Sequence, residues 1–417
     1  MFSINGGNLL EGTIKIGGSK NAVLPIMAAS LLIKGKVKLK NVPEIADVFT
    51  YIDILSGVGV NVSFNDNILF LDSTNIKEAD FDLNKVKKIR VSILLLAPLL
   101  NRIGKVSIPT PGGCNLGARS IHSHLDGLKD IGYSYEYKDD GIFLQGEALA
   151  GDLEVNAGFG VTPTENLIVA NVIRNGVTKI SQAAIEPHVM NLIDFLRTAG
   201  ANISIRYDHS IIISGVSELK SSFEFEIISD YIQSGTYMII AALASKHSLV
   251  LENARIKDLC SFIYKLKQAG VKVENLGGDK VRVYKADKLN SVNIQTNIFP
   301  GFPTDLQSPF AVLMSQAEGE SHIHEILFEG RLGWLIELEK MGCKINILNH
   351  HEASIVGKSN LVGNVVASWD LRAGAAMIIA GIIAKGKTNI TNVDYIHRGY
   401  ENIISNLRNI GVDIEEV

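Results

Sequence analysis

Apolar residues along the chain keep two alternating rhythms. In the first, apolar positions at helical spacing run to a polar step and a glycine, and the alternation of a strand begins at once. It reads "IDILSGVGVNVSF", "LDGLKDIGYSYEY", "IDFLRTAGANISI", "IYKLKQAGVKVEN", "LIELEKMGCKINI" and "IISNLRNIGVDIEEV", six copies spaced about 65–75 residues apart. Gly59, Gly132, Gly200, Gly270, Gly342 and Gly411 stand where a helix needs a left-handed residue before turning into a strand. In the second rhythm a short polar signature enters a helix whose centre is apolar all round, which predicts burial on every side. Its six versions begin at "SKNAVLPIMAASLL", "KIRVSILLLAPLL", "TPTENLIVANVI", "SDYIQSGTYMIIAALA", "TDLQSPFAVLMSQ" and "WDLRAGAAMIIAGIIA". Strands such as "GKVKLKNV", "GKVSIPT", "HSLVLENA" and "GKTNITNV" follow these helices.

Each of the six units thus holds one buried helix, one amphipathic helix and several strands. Six units predict an α/β protein of two similar domains, three units each, with helices inside and sheets outside. The change from the third unit to the fourth, near "FEFEIISDYIQSGT", is the natural boundary, since no low-complexity linker marks another.

Composition narrows the class of protein. The chain has 417 residues, 46% hydrophobic and 20% charged, which suits a globular protein with two large cores. A formal net charge of −4 speaks against a nucleic-acid binder with a wholly basic surface, yet allows a local cluster of arginines around a small anion. Cys114, Cys260 and Cys343 lie far apart and read as reduced thiols, and "MFSINGGNLL" lacks a signal pattern. The longest apolar runs are too short to span a bilayer. The expectation is a cytoplasmic protein with no membrane or nucleic-acid partner.

Candidate chemistry gathers at two kinds of place. One is "IPTPGGCNLGARS", where Cys114 follows Gly112 and Gly113 and precedes Arg119; a neighbouring cation and an accessible loop favour a reactive thiolate. The other is the start of the buried helices: Lys20 with Asn21, Arg90, Asp230, Asp305, and Asp370 with Arg372. Cations there oppose the helix dipole unless an anion sits between, so Lys20, Arg90 and Arg372 suggest an anionic ligand, with a salt bridge as the alternative for each. Asp305, in "PTD" before an apolar helix, also reads as a helix cap.

The motifs "GGSKNAVLPI", "PTPGGCNLGAR", "FPGFPTDLQSPF", "FEGR", "WDLRAGAA" and "HRGYE" occur in the order found in the enolpyruvyl transferases, and the cysteine loop with "GFPTD" resembles the UDP-N-acetylglucosamine 1-carboxyvinyltransferase branch. The resemblance runs end to end. It implies a fold of βαβαββ units, with domains at 21–229 and at 1–20 plus 230–417, and an active site in the cleft between them. It implies transfer of the enolpyruvyl group of phosphoenolpyruvate to the 3-hydroxyl of UDP-N-acetylglucosamine with release of phosphate, needing no cofactor and no metal. By the same resemblance Cys114 is the proton donor and target of fosfomycin-type epoxides, and Lys20, Arg119 and Arg398 hold the phosphate. Arg331 and Arg372 then face the carboxylate, and Asp305 is the base near the sugar hydroxyl. Asn21, Arg90, Ser120, Ile121, His122, Ser123, Leu327 and Asp370 complete the substrate-binding set. Gly112, Gly113 and Gly117 would let the cysteine loop close as a lid.

Several positions depart from that pattern on the acceptor side. "RSIHSH" stands for the usual "RPVDLH", placing His122 where an acidic residue is expected; His124 keeps the family histidine. "NAGFGVTPTEN" lacks a lysine, Ala46 replaces another, and "SDYIQSGT" puts Tyr231 and Gln233 in place of an arginine and a glutamate. These changes leave two alternatives open: a different nucleotide or sugar-nucleotide acceptor, or an idle regulatory homologue. The pairs His122/His124, His322/His324 and His350/His351 have no convergent third ligand for a metal site, and the last two pairs read as strand or loop surface.

Overall fold

The structure is a computed structural model and describes residues 1–76, 83–109, 120–138 and 141–417. The described residues fall into two compact units, 1–17 with 229–417 and 18–109 with 120–228. Each unit has its own contiguous apolar core.

The repeated module can be followed through residues 294–357. Strand Ile294–Gln295 leads to the buried helix Gln307–Ser315, which returns the chain as strand Gly319–His324, parallel to the first. Helix Leu335–Lys340 then covers the sheet, and the hairpin of Lys344–Ile347 with Glu352–Gly357 completes it. The same order runs in 153–214, from Leu153–Asn156 through helix Val161–Asn171 and strand Val177–Ser181 to helix Pro187–Thr198 and a closing hairpin. The predicted C-terminal glycines all adopt positive φ, between 91° at Gly59 and 122° at Gly132. A side chain there would strain the backbone at the point where helix becomes strand.

The six predicted apolar helices are present: Lys20–Ala29, Leu96–Ile103 and Val161–Asn171 in one unit, Tyr231–Ala244, Gln307–Ser315 and Leu371–Ile383 in the other. The last three pack against one another. In Leu371–Ile383 every residue but the last is buried, so each face loses water contact. Around them lie six sheets, five of four strands and one of three among the described residues. Their strands bury alternate positions, as in Lys387–Thr391, where Thr388 and Ile390 face the core.

Two pairings were not visible in the sequence. Strand Leu10–Lys15 precedes helix Lys20–Ala29 but lies parallel to Ser245–Glu252, whereas Ser222–Glu226 precedes helix Tyr231–Ala244 but lies parallel to Lys36–Lys40. Each of these strands thus pairs within its own unit, although the helix that follows it in the chain belongs to the other. The last module closes on the first residues: Phe2–Asn5 inserts between Lys387–Thr391 and Asp413–Glu416, antiparallel to both. Among the described residues no helix is long and apolar enough to cross a membrane.

Candidate active site

In the 229–417 unit the polar signatures at the helix starts converge on Asp305. It sits in the 3-10 turn Thr304–Leu306 that opens helix Gln307–Ser315. Arg331 Nη2 donates to Asp305 Oδ1 at 2.8 Å, and Arg372 donates to Oδ2 from Nη2 at 2.9 Å and Nε at 3.1 Å. Both arginines are buried, while the Asp305 side chain keeps 27% of its surface exposed. Burial pushes the Asp305 carboxyl up, but the Arg372 and Arg331 charges outweigh it and hold it well below the usual carboxylate range. In turn, Asp305 holds Arg331 and Arg372 above the ordinary guanidinium value against the opposing effect of burial.

The arginines are not saturated. Arg331 Nε and Arg372 Nη1 are buried without a hydrogen-bond partner among the described residues. An unmet buried N–H costs about 1–3 kcal/mol, so each fork retains a donor suited to an anion. Tyr400 flanks the cluster, its ring 5.9 Å from the Arg372 guanidinium and its hydroxyl 3.0 Å from Thr236 Oγ1. Gln233 Nε2 donates to the Gly399 carbonyl at 3.2 Å and so ties helix Tyr231–Ala244 to the turn carrying Arg398 and Tyr400. Asp370 caps its helix by accepting from the backbone N–H of Arg372 at 2.6 Å and of Ala373 at 3.0 Å. Asp230 caps helix Tyr231–Ala244 in the same way.

The other unit treats its helix starts differently. Lys20, first residue of Lys20–Ala29, pairs with Asp47 at 2.7 Å, and both are largely buried. Arg90 opens a 3-10 turn, Arg90–Leu95, and donates to the Ser120 carbonyl at 3.3 Å. His124 is buried and held by Asn166, whose amide donates to Nδ1 at 2.8 Å, leaving Nε2–H to donate to Thr162 Oγ1 at 3.1 Å. Asn166 also donates to the Ile93 carbonyl, which fixes its amide orientation and hence this tautomer. Burial, reinforced by the Arg90 charge, depresses the His124 pKa to about 3. Glu165 beside Asn166 is buried, and burial followed by the Glu186 charge raises its pKa well above the usual range.

The predicted set is thus partly assembled. Asp305, Arg331 and Arg372 meet directly. Lys20 and Asn21 lie together at one helix start, and Ser120, Ile121, His122 and Ser123 form the entrance to helix His122–Ile131, where Ser120 Oγ accepts from the His122 N–H at 3.0 Å. His122 and Ser123 are exposed, as is Leu327 at 36%. Arg398 follows the short helix Asp394–His397. Cys114, Arg119 and the glycines Gly112, Gly113 and Gly117 lie outside the described residues.

One expectation needs correction. Asp305 does not cap its helix: both oxygens are turned to arginines, and no side chain caps Gln307–Ser315. Of the cations at the helix starts, Lys20 and Arg372 form the salt bridges named as the alternative, with Asp47 and Asp305. Sequence reasoning missed Asp47 and Glu325, which no local pattern distinguishes from ordinary polar positions, and Thr304 and Tyr400, which lie inside quoted motifs beside the residues that drew attention. A groove of about 560 Å³ lined by Tyr264, Lys265, His322 and His324 contains none of the predicted residues.

Comparisons with known proteins agree in direction. Residues 4–407 match the family model described as EPSP synthase (3-phosphoshikimate 1-carboxyvinyltransferase). A UDP-N-acetylglucosamine 1-carboxyvinyltransferase of Halothermothrix orenii is 40% identical over 417 residues, covering 100% of this chain and 99% of that protein. The protein named UDP-N-acetylglucosamine 1-carboxyvinyltransferase 1 in Clostridium acetobutylicum is 37% identical over 418 residues, with 100% and 99% covered. Among solved structures, the enolpyruvyl transferase NikO of Streptomyces tendae superposes with a TM-score of 0.91 at 23% identity, covering 100% of this chain and 98% of that one. An EPSP synthase of Acinetobacter baumannii gives 0.74 at 16% identity, covering 100% and 99%. These two support the fold.

Proposed function

Because the chain belongs to the UDP-N-acetylglucosamine 1-carboxyvinyltransferase family of enolpyruvyl transferases, we propose that it transfers the enolpyruvyl group of phosphoenolpyruvate to the 3-hydroxyl of UDP-N-acetylglucosamine and releases phosphate. The observation that carries this reading is Asp305 bridged by two buried guanidiniums, each with an unmet N–H. A planar fork binds a carboxylate better than an ammonium does, so Arg331 and Arg372 suit the carboxylate of phosphoenolpyruvate.

The reaction proceeds by addition and then elimination. The sugar O–H loses its proton as its oxygen bonds to C2 of phosphoenolpyruvate, and C3 gains a proton to become a methyl group. Elimination then expels phosphate, while the methyl group returns a proton and the C=C bond reforms. Asp305 serves as base toward the sugar hydroxyl, and Cys114 as acid toward C3. Locked between two guanidiniums, Asp305 is a poor base. Passing those forks to the substrate carboxylate releases Asp305 toward its ordinary basicity, so the base becomes competent once phosphoenolpyruvate is seated. Lys20, Arg119 and Arg398 hold the phosphate, Lys20 exchanging Asp47 for it. Asn21, Arg90, Ser120, Ile121, His122, Ser123, Leu327 and Asp370 serve the acceptor. The reading places the chain in peptidoglycan precursor synthesis in the cytoplasm, with Cys114 open to epoxides of the fosfomycin type.

Phosphate release from phosphoenolpyruvate tests the proposal, measured with UDP-N-acetylglucosamine and, separately, with UDP, UMP and other UDP-sugars. Release that depends on UDP-N-acetylglucosamine is expected. Release only with another acceptor, or with none of them, would sink it.

A further inference from the structure

Glu325 follows strand Gly319–His324 and is fully buried, yet the reaction as derived gives it no part. Its two oxygens are completely engaged. Oε1 accepts from the Thr296 hydroxyl at 2.8 Å and the Leu327 N–H at 2.9 Å, and Oε2 accepts from the Thr304 hydroxyl at 2.7 Å. Proton directions here follow from chemistry. A guanidinium has no acceptor, so Arg331 Nη1 donates to Thr304 Oγ1, 2.8 Å away, and leaves the Thr304 proton free to go to Glu325. Likewise the Ile326 N–H donates to Thr296 Oγ1 at 3.1 Å, and the Thr296 hydroxyl donates to Glu325. Glu325 thus accepts at both oxygens.

The chain of contacts runs from Glu325 through Thr304 to Arg331 Nη1, and on through Nη2 to Asp305. The side-on edge of Arg331 is formed by Nε and Nη2. Among the described residues Nε has no partner and Nη2 is held by Asp305 alone. With Nη1 anchored from behind, that edge stays aimed at Asp305, and an incoming carboxylate meets a preset fork.

Resting on the activity proposed above, we infer that Glu325 is a positioning residue that, through the Thr304 hydroxyl, fixes Arg331 so that its Nε–Nη2 edge faces Asp305 and the carboxylate of phosphoenolpyruvate. Asp370 and Asp305 also act on the Arg331 charge, whereas Nη1 is turned to Thr304 Oγ1. The contribution of Glu325 is thus orientation as well as charge.

Glu325→Gln and Thr304→Val test this in the full chain. Either substitution should raise KM for phosphoenolpyruvate about 10-fold, lower kcat less than KM rises, and leave KM for the UDP-sugar within about 2-fold, given that hydrogen bonds to charged groups are worth that order. Because both act through one contact chain, the double variant should be no worse than the poorer single variant. A merely architectural role would lower Tm and leave KM unchanged, and that result overturns the inference. A crystal structure of Glu325→Gln separates this outcome from failure of the activity reading. Arg331 displaced from Asp305 is expected there, and Arg331 unmoved from both Thr304 and Asp305 overturns the inference whatever the wild type turns over. If Glu325→Gln does not fold, Thr304→Val carries the same kinetic and crystallographic test.

Discussion

The two units are built from one module, yet the Asp305 cluster of one and the His124–Glu165 cluster of the other handle buried ionisable groups in opposite ways. In the 229–417 unit charge is kept and answered with charge: Asp305 sits between Arg331 and Arg372, with Glu325 behind. In the 18–228 unit the His124 and Glu165 pair of positions is driven neutral instead: burial depresses His124 to about 3 and raises Glu165 far above its usual range. The difference lies in the partners each group is offered. A fully buried charge is tolerable only where an opposite charge and hydrogen bonds compensate it. His124 is offered an amide and a hydroxyl, so its imidazole stays neutral. Asp305 is offered two guanidiniums, so its carboxylate persists. A neutral network gives a fixed scaffold, whereas a compensated charge cluster can exchange one anion for another.

The strongest way to break this contrast is to neutralise its charged side. Asp305→Asn should reduce phosphate release by about 10²–10⁴-fold, the usual range for loss of a general base. It should leave phosphoenolpyruvate binding intact, since both arginines remain and have lost a competing anion. Turnover within 10-fold of the wild type would show that Asp305 is not the base.

The neutral side makes its prediction through pH. The folded His124 pKa lies below the unfolded value of about 6.5, so the unfolded chain binds more protons and stability falls as pH drops from about 6.5 toward about 3. Glu165 has the opposite sign. Its folded pKa is raised, so stability falls as pH rises above the ordinary glutamate range. Only the difference between wild type and His124→Asn isolates the histidine. Between pH 6 and pH 4.5, urea denaturation should show the wild type losing about 2 kcal/mol more than the variant, at roughly 1.4 kcal/mol per pH unit. Equal losses would mean that His124 takes up a proton in the folded chain.

How much of this could be read from the chain depended on the range of the interaction. The six glycine turns and six apolar helices were legible because a helix end and a helix face are written within about ten residues. The pairing of the edge strands was not, because Leu10–Lys15 finds its partner at Ser245–Glu252, and nothing in either strand names the other. At the site the residue types were legible and their partners were not. Lys20, Asp305, Arg331 and Arg372 stood out by motif, but Asp47 and Glu325 look like any polar residue until folding sets them beside a cation or a hydroxyl. The case for Cys114 and Arg119 rests on sequence alone.

The smallest expected effect sharpens the contrast at its least conspicuous point, Asp370, which supplies both a helix cap and a negative charge near Arg331. Removing the cap with Asp370→Ala should cost about 1 kcal/mol of stability, since two backbone N–H groups lose their acceptor. Asn caps as well as Asp does, so Asp370→Asn should hold stability within about 0.5 kcal/mol by urea denaturation while removing the charge. The pair of variants therefore separates two roles that one side chain combines. If Asp370→Asn keeps both stability and KM for UDP-N-acetylglucosamine, the residue serves the fold, and the acceptor assignment is wrong. If stability holds and that KM rises, the carboxylate serves the acceptor, and the charged unit uses even a helix cap for binding.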